Sequence, residues 1–474
     1  MAVPLRTGYE DARYIVYERH GAYYAKDGET GDIVYGGPNN VGGVSGANAA
    51  AVIQAAINGL TAGRHWKEKV GLKGTFIQST RITPASYTIL DMRAAKLIAQ
   101  TGLNDYQLET SYVTDVELIG GILDGNAGAS RGVQIGWGSK NCIIRDMKII
   151  ESNWDGLFLS GTSSPDITSN ILIDGCTFER NAIAGGVCGN LRIRDYCEDI
   201  IVSSCKSYDS RGQGFYSEFG TNKRILFSNC ISKGARSGDG FLIVGGLDVA
   251  LVNCIAEDNS GDGFVCDGSV RTVTAKLTGC VSRYNWCNGL LLNALYAPPY
   301  THRVEVEGGS FHANSVISPG TYDGIQLNLA TYIKIVGTRC YDEQSPKTQR
   351  YGIIETDSRS DYNLIEDNFV MENLTGAIFH SGTHTQVRNN QGYANENRGI
   401  AVMAAGGAIT VTHHMDEIPV VIHVTAQDDL GDVYVPGGDK ITVTGFTIVA
   451  DTPVAGVSVF WEAYAKSWGM WLFW

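Results

Sequence analysis

Four aspartates of this 474-residue chain stand in one register, each immediately before a glycine that opens an apolar run: Asp155, Asp239, Asp262 and Asp323. Asp239 and Asp262 fall in neighbouring units of a repeat, so stacking of the units brings them to about 5 Å if their registers match. Two carboxylates at roughly that separation can divide acid and nucleophile roles in retaining glycoside hydrolysis, and a wider pair leaves room for an inverting water. A second pair, Glu218 and Asp267, shares a column two units apart, roughly 10 Å, close to the upper limit for inversion. Asp before Gly is also ordinary turn chemistry, so each of these carboxylates has a structural reading beside its chemical one.

Groups that could hold a sugar surround them. Tyr216, Trp286, Tyr296 and Tyr300 offer aromatic faces, and Arg236 offers a cation. Tyr296 and Tyr300 sit in the aromatic stretch Leu295-Tyr296-Ala-Pro-Pro-Tyr300-Thr-His302, where sugar stacking and contact between subunits are equally good readings. Lyase chemistry would need a base and something to neutralise a uronate. Asp239, Asp262 and Asp267 are oxygen ligands suited to Ca²⁺ for that purpose, with Arg211, Arg236 or Arg283 close in register. Hydrolysis requires no cofactor. His380, His384, His413 and His414 crowd the end of the repeat and read as solvated or core histidines rather than as a metal set.

What must position these groups is an array. Gly132, Gly156, Gly186, Gly214, Gly240, Gly263, Gly289, Gly324, Gly352, Gly376 and Gly399 recur at intervals of 23 to 35 residues, each heading a short, mainly apolar run. Repeats of this period signal stacked units, and short β-runs without helical spacing make the stack a β-solenoid. Cys176, Cys205, Cys230, Cys254 and Cys280 share one register and predict an internal ladder of reduced thiols. Asn153, Asn181, Asn259, Asn285, Asn314, Asn373 and Asn395 predict a second ladder at a turn. The alternation after each glycine predicts an outward column of Gln134, Phe158, Cys188, Tyr216, Leu242, Val265, Leu291, Gln326, Ile354, Ile378 and Ala401. So apolar a column needs a cover, best supplied by sister chains. Lengthened units predict loops within Gly189–Asp199, Asn293–Arg303, Ala313–Tyr322 and Asp342–Tyr351.

The flanks differ. Residues 1–38 read as a hairpin or neck. Residues 39–108 hold the one convincing helix, about Asn48–Leu60 with Ser45 as its cap and Gly63 at its end, followed by the first coils. Such a helix covers the open end of a solenoid. Residues 109–407 form the array, and 408–474 alternate apolar and polar residues as a small antiparallel β-domain. The closing Trp468-Gly-Met-Trp471-Leu-Phe-Trp474 calls for burial, best met between subunits.

Composition narrows the classes. There are 58 glycines, a net charge of −13 and no basic run, which argues against nucleic acid. No run of about 18 apolar residues exists to insert in a membrane. The eleven cysteines suit a reducing compartment, and the first residues lack the pattern of a secretory signal.

The helix, the Gly74-Thr-Phe and Tyr87-Thr-Ile-Leu-Asp runs, and Gly120-Gly-Ile-Leu-Asp-Gly-Asn126 together resemble the entry to pectate-lyase-type right-handed parallel β-helices. That superfamily includes polysaccharide lyases, polygalacturonases and viral tailspikes, and the resemblance spans about residues 45–406. The aspartate cluster and arginine of pectate lyases, and the Asn-Thr-Asp, Asp-Asp and Gly-His-Gly elements of polygalacturonases, are missing. Val424-Thr-Ala-Gln-Asp-Asp-Leu-Gly431 and Phe460-Trp-Glu-Ala look like modules that follow β-helices in viral tail fibres. The resemblance therefore implies an all-β chain: a right-handed parallel β-helix of about eleven or more coils, with an N-terminal helix cap and a C-terminal β-domain. It implies a homotrimeric tailspike or tail-fibre-like protein, made in a host cytoplasm for a virion tail, that binds or depolymerises a cell-surface polysaccharide. The alternatives are an extracellular polysaccharide lyase or glycoside hydrolase, and a non-catalytic carbohydrate-binding adhesin.

Overall fold

A computed structural model describes residues 11–127, 131–163, 165–184, 188–218, 221–269, 273–293, 303–403, 407–426, 433–437, 441–451 and 455–465. It is an all-β, right-handed parallel solenoid of about 11 turns, with one short helix and small antiparallel sheets near the C-terminus. A coil gives one strand to an eleven-stranded parallel sheet and two to a 25-stranded sheet. Gln213–Glu218, Lys223–Ser228 and Ile231–Lys233 make one such coil; Phe241–Val244, Gly246–Val252 and Ile255–Glu257 make the next. Like residues stack on like. Phe215, Phe241 and Phe264 are register partners whose rings lie 4.8 and 5.0 Å apart inside the coil.

The glycine signposts mark a close approach of backbone. A Cβ built on Gly240 would lie 2.6 Å from the carbonyl oxygen of Gly263, and one on Gly289 2.5 Å from that of Gly324. Only glycine leaves room for the neighbouring coil there. The signposts hold with three exceptions. The 156–190 coil reaches the position at Asn190 rather than Gly186, because Leu157 pairs with Leu191. Ala377 rather than Gly376 lies over Gly352. Gly399 heads no coil, since Glu396–Val402 pairs antiparallel with Ser458–Ala465. The antiparallel module thus begins at Glu396, ahead of residue 408.

The ladders are present. Every cysteine of the predicted column is buried and unbridged, and each thiol meets a carbonyl one coil back, as Cys230 Sγ does at Val202 O, 3.4 Å. Asn259 Nδ2 donates to Asn285 Oδ1 at 2.9 Å, and Asn285 Nδ2 to Asn314 Oδ1 at 3.0 Å. Gln349 continues this ladder to Asn373. Ser152, whose amide donates to Asn181 Oδ1 at 2.9 Å, holds the place expected of Asn153. Asn395 instead donates to Val387 O.

The helix is Ala49–Asn58. Its N-cap is Asn48, whose side chain accepts from Ala51 N, and Gly59 ends it, so Ser45 and Gly63 lie outside. Val52, Ile53, Ala56 and Ile57 press into the first coils. Tyr14–Arg19, Ala22–Asp27 and Ile33–Gly36 form an antiparallel meander that joins the solenoid through Glu68–Gln78.

Candidate functional site

The turn entering each strand of the eleven-stranded sheet carries a column that register fixes as Arg131, Asp155, Gly189, Gln213, Asp239, Asp262, Asn288, Asp323 and Tyr351. Its side chains bind the backbone of the next coil. Gly189 N donates to Asp155 Oδ1 at 2.9 Å, Asp262 N to Asp239 Oδ1 at 2.8 Å, Asn288 N to Asp262 Oδ1 at 2.6 Å, and Tyr351 N to Asp323 Oδ1 at 3.1 Å. Part of the role of these aspartates is therefore structural, as the Asp-Gly pattern implies.

They differ in what neutralises them. Asp155 meets Arg131 Nε at 3.1 Å and Arg192 at 3.9 Å. Asp323 meets Arg350 through Nε at 3.0 Å and Nη2 at 2.7 Å. Asp239 and Asp262 lie in adjacent coils between them, and neither forms an ion pair with a described residue. Nor does a described group donate to the Oδ2 atom of either; Asp262 Oδ1 receives a second bond from Asn288 Nδ2 at 2.9 Å. Burial pushes the Asp239 carboxyl up to about 6. Burial, and after it the charge of Asp239, push Asp262 up to about 7. Burial raises Asp155 and Asp323 as well, but there guanidinium groups oppose it. Two carboxyls one coil step apart, about 4.8 Å by strand spacing, are thus both held above the ordinary carboxylate range, the circumstance in which one carboxyl of a pair can carry a proton while the other is ionised.

Trp286 stands exposed on the turn beside Asn288, and Cys287 and Tyr322 lie close to one another and to Asp262. Arg236 lies on the same turn strip, three residues before Asp239, and its one ion pair among the described residues is with Asp209, at 3.8 Å. Tyr296 and Tyr300 lie outside the described residues, as do the 294–302 stretch and Trp468–Trp474.

The second predicted pair has other duties. Glu218 and Asp267 do share a column with Val244 between them. However, Glu218 is 2% exposed and held by Arg192 Nε at 2.8 Å and by Arg194 Nε at 3.3 Å. Asp267 accepts from Ser269 N at 2.8 Å and from Asn293 Nδ2 at 3.5 Å. Asp267 also ends its strand whereas Asp262 precedes it, so Asp239, Asp262 and Asp267 do not converge as calcium ligands. Among the described residues no group of three or more His, Cys, Asp or Glu is arranged to hold a metal. Arg283 is taken by Glu257, at 2.6 Å. The histidines go separate ways: His380 to Glu417, His384 to Asp361, and His413 to the carbonyl of Thr442.

The outward column is Gln134, Phe158, Arg192, Tyr216, Leu242, Val265, Leu291, Gln326, Ile354 and Phe379. Arg192 replaces the predicted Cys188 and Phe379 the predicted Ile378, and Ala401 belongs to the antiparallel module. Arg192 follows from the register shift after Asn190, and that shift also removes the predicted Gly189–Asp199 loop: Gly189–Arg194 and Cys197–Ser203 are strands. This upper half of the face is closed within the single chain. Phe158 lies between the guanidinium carbons of Arg131, at 4.2 Å, and Arg192, at 5.8 Å, and Tyr216 is 5% exposed. Burial, and then its bond to Glu218, raise the Tyr216 phenol, so it is unfit as a general base or as a sugar platform. At the lower end of this face Phe379 stays exposed, and another open apolar surface lies on the 25-stranded sheet. There Ile143, Leu172, Ile201 and Leu226 line a shallow concavity of about 740 Å³, with Ile201 43% exposed.

A family described as "Right handed beta helix region" matches residues 131–297. No curated protein matches the chain in sequence. Among solved structures, the A-module of the mannuronan C-5 epimerase AlgE6 of Azotobacter vinelandii is 15% identical over 74% of this chain and 96% of its own, with a TM-score of 0.61. The AlgE4 A-module of the same organism is 17% identical over 73% and 96%, with a TM-score of 0.59. The tailspike protein gp49 of Pseudomonas phage LKA1 is 13% identical over 80% and 68%, at 0.49. The scaffold is thus a right-handed parallel β-helix, and identities this low establish the fold alone.

Proposed function

We propose that this chain binds a polysaccharide along its coils and hydrolyses it at Asp239 and Asp262. The observation that carries the reading is that, in a column whose outer aspartates are neutralised by arginine, the two central ones have no cationic partner among the described residues and are pushed to about 7 and about 6. Asp262, the one raised further, protonates the departing glycosidic oxygen. Asp239, one coil away, attacks or stabilises the sugar cation, and a spacing of about 4.8 Å suits retention. That the same fold carries mannuronan epimerases fits a long polymer laid along the coils. A lyase at the arginine-rich cluster is less suited, because Arg131 and Arg192 are already spent on Asp155 and Glu218.

We further assign the chain to tailspike-like homotrimers, in which copies meet through the stripe of Ile143, Leu172, Ile201 and Leu226 rather than through the face closed by Arg192 and Tyr216. Light scattering should give three copies of the 51.1 kDa chain; a monomer overturns this part. For the chemistry, capsular, O-antigen and plant polysaccharides are assayed for new reducing ends and for the absorbance of unsaturated products. Reducing ends without absorbance are expected, falling by about 10²–10⁴-fold in Asp262→Asn, the loss typical of a removed general acid. Activity that survives both Asp239→Asn and Asp262→Asn removes the site, absorbance indicates a lyase, and binding without cleavage leaves an adhesin.

A further inference from the structure

One strip of turn beside the carboxyl pair carries exposed cations at one end and exposed apolar groups at the other. Four residues occupy the same place in successive coils: Arg211 N donates to Asn181 O at 3.0 Å, Arg236 N to Ser210 O at 2.8 Å, Ser260 N to Ala235 O at 2.7 Å, and Trp286 N to Asn259 O at 2.9 Å. Two or three residues later in each coil come Gln213, Asp239, Asp262 and Asn288. The strip therefore runs alongside the carboxyl ladder, one step per coil of about 4.8 Å.

Its two ends have opposite character. Arg211 is exposed and forms no ion pair with a described residue. Arg236, 57% exposed, has only the long and equally open contact to Asp209 at 3.8 Å, which contributes little. By contrast Arg131, Arg192, Arg194 and Arg350, at or next to strands of the eleven-stranded sheet, are each committed to a carboxylate. At the other end Trp286 is 42% exposed, followed by the exposed Val316 and Ile317 of the lengthened 315–322 turn, where Val316 N meets Asn285 O at 3.2 Å.

We propose that this strip is a saccharide groove with fixed polarity: Arg211 and Arg236 take an anionic group of the polymer on the N-terminal side of the carboxyl pair, and Trp286 takes a sugar face on the C-terminal side. The inference rests on Asp239 and Asp262 being the reacting pair, and it adds the substrate class, a polysaccharide bearing carboxylate or sulfate groups. A guanidinium binds such groups through paired, charge-assisted hydrogen bonds, whereas a neutral sugar would leave both arginines in water. The net charge of −13 repels an anionic polymer from most of the surface, so an uncommitted cationic patch here fixes both its place and its direction. Indole faces accept the C–H side of a sugar ring regardless of charge, so Trp286 contributes affinity without this selectivity.

The test uses the full chain carrying Asp239→Asn and Asp262→Asn, so that bound glycans are not consumed, on an array of neutral, uronate-bearing and sulfated oligosaccharides. Binding confined to the anionic members is expected, weakening as salt rises. Adding Arg211→Gln and Arg236→Gln should lower affinity at least about tenfold, the loss of one or more charge-assisted bonds, and flatten the salt dependence. Adding Trp286→Ala should weaken binding at all salt concentrations. All three side chains are exposed, so an unchanged melting temperature confirms the fold of each variant. Suppose instead that a neutral glycan is bound without regard to the arginines, and the native chain cleaves it through Asp239 and Asp262. The groove's polarity then fails and the hydrolase reading stands. If no glycan is bound or cleaved, both fail.

Discussion

The backbone amide of Asp262 donates to Asp239 Oδ1 at 2.8 Å, and this single bond ties two carboxyls of adjacent coils into one titrating unit. It spans one coil step, and no described group donates to the second oxygen of either carboxyl. At Asp155 and Asp323, by contrast, guanidinium groups oppose the upward push of burial.

The pair predicts a pH profile. Hydrolysis needs the proton that Asp262 holds, so activity should fall above about pH 7, and it should fall below about pH 6 as Asp239 gains one. An initial-rate profile between pH 4 and 9 checks this; a rate flat across pH 6–8 contradicts it.

The same pair predicts a stability change of opposite sign to the loss of activity. A carboxyl whose folded pKa is raised disfavours the native state once ionised. Stability should therefore decline as pH rises from near 4, where the unfolded carboxyls titrate, to about 7. Asp262→Asn removes that penalty and should melt higher than the native chain at pH 8, on the order of 2–4 °C, with no gain at pH 4. Melting curves at the two pH values decide it.

Asp155 should behave in the reverse way. It is fully buried and balances Arg131, with Arg192 at 3.9 Å, so Asp155→Ala leaves the Arg131 guanidinium without its carboxylate while Arg192 keeps Glu218, and should destabilise by about 3–5 kcal/mol. Denaturant titration measures the loss. Soluble protein that does fold should retain its pH profile, because Asp155 takes no part in the reaction.

Within the interior, Asn285 links Asn259 to Asn314. Asn285→Ala strands donors and acceptors on both neighbours and should cost about 1–3 kcal/mol for each buried group left unpaired. Proteolysis should then begin at the coils around residue 285 rather than at the ends of the solenoid.

The junction with the antiparallel module should respond to pH through His380, whose Nε2 lies 3.3 Å from Glu417, while Tyr393 donates to the same carboxylate at 3.0 Å. Burial opposes the imidazolium, but the bond to Glu417 and the charges of Glu417 and Glu355 outweigh it, and the pKa lies above the usual 6.5. A raised histidine stabilises fully below 6.5, and the contribution is lost as pH rises through the folded value. Hydrogen exchange in Ala408–Thr412 and Gly445–Ala450 should therefore be slower at pH 6 than at pH 8 beyond the intrinsic pH effect, and His380→Gln should abolish the difference.

Much of this protein was legible in its sequence because a stacked coil repeats its constraints. A glycine that cannot bear a Cβ, a thiol under a carbonyl and an asparagine bonded to its copy each recur once per coil, so the solenoid and its interior columns follow from spacing alone. Asp239 and Asp262 as neighbours follow in the same way. Tertiary structure decided which carboxylates are free. The shift that brings Arg192 under Tyr216 arises where Asn190 takes the place expected of Gly186, and the pairing of Arg350 with Asp323 depends on how far the 342–351 loop carries the chain. Ion pairs form across coils, between residues whose separation in sequence varies with every loop, and a one-residue slip in a strand exchanges inside for outside. That is why the outward column, read by counting, looked like an open apolar seam, although Arg131 and Arg192 close its upper half.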